Sequence, residues 1–239
     1  MKLQLLPSSF DEHGMASPRQ HLSCFIVDDA VAIDAGSLAM ATSAKQKKHI
    51  RNVVLTHAHL DHIAGLPLFI DDLFANLETP IRVHALPKVI ETLERDVFNW
   101  EIYPRFSELE NDNGAVMKYL PFNAGEEFQV RHLSFKSISV NHKVVSVGFV
   151  VSDGKTKFAF SGDTAEMDEF WQIVNREENL SALLVECSFP NELEELAQIS
   201  HHLTPKILQK ELEKFNRKEC AIYVVNIKPM YRDEVVRQI

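Results

Sequence analysis

Within the run Thr56-His57-Ala58-His59-Leu60-Asp61-His62, three imidazoles and one carboxylate fall inside six residues. Neutral imidazole and carboxylate are the usual donors to zinc and similar divalent ions, and close spacing lets one loop supply several of them. The run follows Val53-Val54-Leu55, which reads as a buried strand, and strand ends are where catalytic groups are commonly assembled. Two further candidates stand in like positions, His142 after Phe135 to Val140 and Asp163 after Lys157 to Phe160. Each has an ordinary reading on its own: His142 as a turn residue, Asp163 as a helix cap with Glu166 three residues on. A solvated loop rich in histidine is the plain reading of the run itself, and the repeated strand-end placement argues against it.

The elements that must position these groups read as a mixture. Strand-like runs are Cys24 to Val27, Ala30 to Ile33, Val53 to Leu55, Ile81 to His84, Phe135 to Val140, Ser146 to Val151, Lys157 to Phe160, Ala182 to Val185 and Ala221 to Val225. Asp153-Gly154 between two of them predicts a hairpin and some antiparallel pairing. Helical patterns cover Ile63 to Leu77, Pro87 to Phe98, Ala165 to Val174 and Pro205 to Phe215, the last with Thr204 as N-cap and Pro205 at its first position.

At 239 residues the chain can bury a sizeable core. No repeat, low-complexity tract or linker interrupts it, so one domain, residues 1–239, is expected. A net charge of -9 argues against a broad basic surface for nucleic acid and for a small substrate. Cys24, Cys187 and Cys220 are odd in number, widely spaced and apolar in setting, which points to core packing in a reducing compartment. With no signal-like or membrane-spanning stretch, a cytoplasmic location and no membrane partner are expected.

The run from His57 to His62 resembles the H-x-H-x-D-H signature of the metallo-β-lactamase superfamily. Ile33-Asp34-Ala35-Gly36 and Ser161-Gly162-Asp163-Thr164 are similar to further motifs of that superfamily. The resemblance implies an α/β four-layered αββα sandwich with mixed sheets. It also implies two divalent ions, zinc first and manganese or magnesium as alternatives. His57, His59 and His142 would hold one ion and Asp61 and His62 the second, with Asp163 bridging.

His59 stands where the iron-dependent redox branches of this fold look different by carrying Glu, so hydrolysis is favoured. His57 to Gly65, Phe98 to Pro104, Val185 to Phe189, His202-Leu203-Thr204-Pro205 and Asn226-Ile227-Lys228-Pro229 resemble class II cyclic-nucleotide phosphodiesterases. The activity implied is hydrolysis of 3′,5′-cyclic nucleotides, cyclic AMP or cyclic GMP, to 5′-nucleotides. Phe98 to Pro104 reads either as a helix ending in a packed turn or as a wall facing the purine, with Asn99 and Tyr103 as substrate contacts.

A phosphodiester repels anionic nucleophiles, so two cations help by making hydroxide available near neutral pH and clamping the attacking and leaving oxygens. Asp61 would accept the proton of that hydroxide. The basic 3′ alkoxide needs a proton on leaving. His202 resembles, in its H-x-T context, a histidine that tRNA 3′-processing endonucleases of the superfamily pair with a Glu, and Glu186 falls where that Glu would be. His201 beside it reads as a residue that simply precedes a helix.

The chain departs from the pattern at Asn226. The phosphodiesterases have a run that looks like His-Ile-Lys-Pro there, and its His closes the second site. An amide oxygen is a weaker donor than imidazole toward zinc, so the second ion is expected to be held less well, to be manganese or magnesium instead, or to recruit His202 as its ligand. The alternatives are another hydrolase of the superfamily, such as a tRNA 3′-processing nuclease or a lactonase, and a non-catalytic metal- or nucleotide-binding module. The partner expected is a small-molecule cyclic nucleotide, with no stable nucleic acid; a homodimer is compatible with the resemblance.

Overall fold

Short apolar runs punctuated by turns build two six-stranded sheets, each laid down in sequence order, in a computed structural model that describes residues 1–239. One sheet lies in Met1–Asn123 and the other in Ala124–Ile239, the two compact units of the chain.

The first unit's sheet comprises Leu3–Leu5 (β1), Phe25–Val27 (β2), Val31–Ile33 (β3), Asn52–Val54 (β4), Ile81–Ala85 (β5) and Met117–Pro121 (β6). β1, β2 and β3 pair antiparallel, and β3, β4, β5 and β6 pair parallel. β2, β3 and β4 are buried along their whole length. This is why they read as unbroken apolar runs and not as alternating ones. Gly65–Leu73 (α1) and Pro87–Asp96 (α2) supply the crossovers, and Leu66, Phe69, Ile70 and Leu93 are fully buried.

The second unit's sheet comprises Glu127–Val130 (β7), Leu133–Ser139 (β8), Val147–Ser152 (β9), Lys157–Phe160 (β10), Leu180–Glu186 (β11) and Ala221–Val225 (β12). β7 to β10 pair antiparallel, and β10, β11 and β12 pair parallel. Asp168–Val174 (α3) and Pro205–Leu212 (α4) cover one face, with Phe170, Trp171, Leu203 and Leu208 in a cluster with Val150, Ala159 and Val185. Glu211 is buried there with both oxygens used. One accepts from the Trp171 indole at 2.7 Å and the Met167 amide at 3.1 Å; the other takes the Lys214 ammonium at 2.6 Å.

The Asp153-Gly154 hairpin forms as expected. Gly154 takes φ +85°, and Asp153 Oδ1 accepts from the Lys155 and Thr156 amides at 2.9 and 2.8 Å. Three differences bear on the site. The helical pattern expected over Ile63 to Leu77 breaks into a turn Leu60–Ile63, α1 and a 3-10 turn Phe74–Asn76, so Asp61 and His62 lie inside a helical turn. The pattern expected from Ala165 begins only at Asp168, and the Thr164 and Ala165 amides before it donate to Glu186 Oε1 at 3.1 Å and the Asn141 carbonyl at 2.7 Å. Thr204 occupies the N-cap position of α4, yet its side chain makes no capping bond. No helix is long and apolar enough to cross a membrane.

Candidate functional site

In the first unit the parallel pairing of β3 and β4, with Ile33 opposite Val54, brings the residues that follow each strand to one sheet edge. Asp34 leaves β3 in the left-handed region at φ 57° and is fully buried. Its Oδ1 accepts from the Thr56 amide and the Thr56 hydroxyl, both at 2.9 Å, and its Oδ2 accepts from His62 Nδ1–H at 2.7 Å. The His57 Nδ1–H in turn donates to the Thr56 hydroxyl oxygen at 2.9 Å. One carboxylate therefore sets the ring of His62 directly and that of His57 through Thr56. The His57 ring centroid lies 4.1 Å from that of His62 and 4.7 Å from that of His59.

Two close backbone approaches hold this loop. A Cβ at Gly36 would collide with the Asp61 carbonyl, and one at Gly65 with the carbonyls of Ala35 and Gly36. Only residues without a side chain let these segments exchange hydrogen bonds, Ala35 N–H to the His62 carbonyl at 2.7 Å and Gly65 N–H to the Ala35 carbonyl at 3.0 Å.

In the second unit the ends of β8, β10, β11 and β12 share an edge and carry His142, Asp163, Glu186 and Asn226. His142, Asp163 and His202 present ligand atoms all within 4.8 Å of one another, and all three are buried. Glu186, fully buried, ties this edge together. Its Oε1 accepts from His202 Nδ1–H at 2.7 Å and Thr164 N–H at 3.1 Å, and its Oε2 from Ser188 N–H at 2.9 Å and Leu203 N–H at 3.2 Å. Burial opposes charge on His202, but the hydrogen bond and charge of Glu186, with the charge of Asp163, outweigh it and hold the imidazole above its ordinary pKa.

His201 ends the helix Glu194–Ser200 (left-handed, φ 56°) and turns its carbonyl to accept from His142 Nδ1–H at 3.0 Å. Its own ring bonds Asn141 Oδ1 at 3.0 Å. The expectation that it merely precedes a helix misses this, because a carbonyl carries no residue-type signature. Asn226, also left-handed at φ 57°, donates its side-chain amide to Asp163 Oδ1.

The donor chemistry fits a divalent cation. His57, His62 and His142 each commit Nδ1–H to a hydroxyl, carboxylate or carbonyl, so the ligating lone pair falls on Nε2, as when outer partners orient metal-binding histidines. Each unit also carries a carboxylate beside its imidazoles, Asp61 in the first and Asp163 in the second, and such N/O donors suit a divalent ion.

The remaining predicted residues sit past α2. Asn99 uses its side chain on the turn: Nδ2 donates to the Arg95 carbonyl at 3.1 Å, and Oδ1 accepts from the Glu101 and Ile102 amides at 3.0 and 2.8 Å. Tyr103 donates its hydroxyl to Asp71 Oδ2 at 3.2 Å and packs on Phe106 at 5.8 Å between ring centroids. The helix does end in a packed turn. Cys24, Cys187 and Cys220 are buried and unbridged, and burial raises each thiol pKa, which fits packing and not reactivity.

The sequence profile of the beta-lactamase superfamily domain matches residues 29–220, which span both units and every predicted ligand except Asn226. The chain belongs to the metallo-β-lactamase superfamily. Within it, a probable 3′,5′-cyclic-nucleotide phosphodiesterase of Yersinia pestis is 24% identical over 85% of this chain and 67% of its own length. A chloroplastic tRNase Z of Arabidopsis thaliana is 28% identical over 57% of this chain and 36% of its own. The chain spans only about half the length of other curated cyclic-nucleotide phosphodiesterases it matches. Among solved structures, unliganded yeast PDE1 superposes with a TM-score of 0.79, 18% identity and coverage of 99% of this chain and 92% of that one, which is the superfamily's fold.

Proposed function

We propose that this metal-dependent hydrolase is a phosphodiesterase acting on 3′,5′-cyclic nucleotides. The observation that carries the reading is His202, buried beside His142 and Asp163 with Nδ1–H locked on the buried Glu186 carboxylate. That leaves Nε2 as the proton-bearing end toward a substrate. The leaving 3′ oxygen of a cyclic nucleotide is strongly basic, so a proton donor of raised pKa is what its departure requires.

The ligands proposed are those that the superfamily's motifs mark: His57, His59 and His142 for one ion, Asp61 and His62 for the other, and Asp163 for both. Divalent ions bound there supply charge neutralisation of the phosphoryl oxygens and a lowered pKa for water. The chain's own residues then divide the work. Asp61 takes the proton of the attacking water, Glu186 fixes the His202 tautomer, and His202 protonates the departing oxygen. The net charge of -9 is tolerable because bound cations set the local field.

The tRNase Z relative favours a second reading, an RNA 3′-processing nuclease. The acidic balance weighs against it, since tRNA binding rests on clustered Lys and Arg. The test is to strip the protein of metal, refill it with zinc, manganese or magnesium, and compare cyclic AMP, cyclic GMP, bis(p-nitrophenyl) phosphate, a precursor tRNA and a lactone. Turnover of a cyclic nucleotide is expected. No turnover of one with any ion overturns the proposal.

A further inference from the structure

The backbone around Asn226 is held from both sides. Val225 closes β12 with its carbonyl accepting from Cys187 N–H at 3.1 Å, and Lys228 N–H donates to the Ser188 carbonyl at 3.1 Å. Between them the Asn226 carbonyl accepts from the Ser188 hydroxyl at 3.0 Å. The left-handed backbone at φ 57° suits Asn, which tolerates that region better than most residues. So fixed, the amide reaches Asp163 Oδ1. Facing a carboxylate oxygen it presents N–H, because its own Oδ1 would meet like partial charge there. An amide nitrogen has no free lone pair to give a cation.

Resting on the ligand set proposed above, we infer that Asn226 is a positioning residue for Asp163 and not a metal ligand, so the chain holds one divalent ion tightly and a second one weakly. To ligate, the amide would have to turn its oxygen to the cation and give up the bond to Asp163. An imidazole at this position would face Asp163 with a lone pair available for the ion. The cost of the missing donor is set by a lower bound: loss of an outer hydrogen-bond partner alone weakens metal affinity about 10–100-fold.

The test is zinc titration of metal-free protein, with bound zinc counted by atomic emission, on the natural chain, Asn226→His and Asn226→Ala. Histidine also tolerates the left-handed backbone, as His201 shows at φ 56°, so Asn226→His is expected to fold; thermal melting checks this. The natural chain is expected to retain one zinc after dialysis, and Asn226→His two. Asn226→Ala, which frees Asp163, is expected to hold its single zinc more weakly than the natural chain. Two zincs held equally tightly by the natural chain, or Asn226→Ala losing one of two, overturns the inference while cyclic-nucleotide turnover stands. Absence of turnover in all three proteins overturns the functional reading, and the zinc counts still decide the role of Asn226.

Discussion

The Nδ1–H of His62 donates to Asp34 Oδ2 at 2.7 Å, with both side chains fully buried. The same distance separates His202 Nδ1 from Glu186 Oε1 in the other unit. Each unit thus spends one buried carboxylate on orienting histidines, and each carboxylate is also filled by backbone amides, Thr56 in one case and Thr164, Ser188 and Leu203 in the other. A buried charge with fewer partners would be costly. With these it becomes a rigid bracket.

Asp34 is therefore expected to matter to metal binding without touching metal. Asp34→Asn keeps the volume but turns one N–H toward a donor, at Thr56 or at His62. Zinc affinity is expected to fall about 10–100-fold, measured by competition with a chromophoric chelator. An unchanged affinity would show that ring orientation is set elsewhere.

The proton donation proposed for His202 predicts that substrates separate by their leaving groups. His202→Ala and Glu186→Gln are each expected to lower kcat/KM for cyclic AMP about 10²–10⁴-fold. Bis(p-nitrophenyl) phosphate releases a weakly basic phenolate that departs without a proton, so its hydrolysis should fall far less. Equal losses on both substrates would reassign the pair to binding or folding.

What the sequence discloses follows from how local each feature is. His57, His59, Asp61 and His62 announce themselves because one loop carries them, and β10 and β12 fall where their apolar runs predict. Asp34 is visible as a motif residue, but its task is not, since its partners lie 22 and 28 positions away and meet it only through the pairing of β3 with β4. The carbonyl of His201 leaves no trace in residue type. β1, β6 and β7 escape notice as sheet edges: the alternations Leu3-Gln4-Leu5 and Glu127-Phe128-Gln129-Val130 are too short to stand out, and Met117–Pro121 is largely exposed.

Gly36 offers a test of the loop packing that supports the cluster. The atoms a Cβ would meet are the Asp61 carbonyl, Leu22 Cβ and the Ser23 amide, largely backbone that cannot swing aside. Gly36→Ala is expected to cost about 1–3 kcal/mol of stability and to weaken zinc binding, because the displaced Asp61 segment carries the ligands proposed above. Urea unfolding with and without zinc checks both. A variant of natural stability would mean that the loop has slack.

His84 makes stability depend on pH within the first unit's sheet. It lies in β5, buried, with Nε2–H donating to Asn52 Oδ1 at 3.1 Å. Burial and then the charge of Arg82 push its pKa down from 6.5 to about 4. The unfolded chain therefore takes up this proton first as pH falls, so stability is full above pH 6.5 and is lost between 6.5 and about 4. The loss approaches about 3 kcal/mol. His84→Gln keeps a donor toward Asn52 and cannot titrate. Comparing urea midpoints at pH 7 and pH 4.5, the natural chain should lose more stability than the variant. Parallel losses would show that His84 is protonated without cost in the fold.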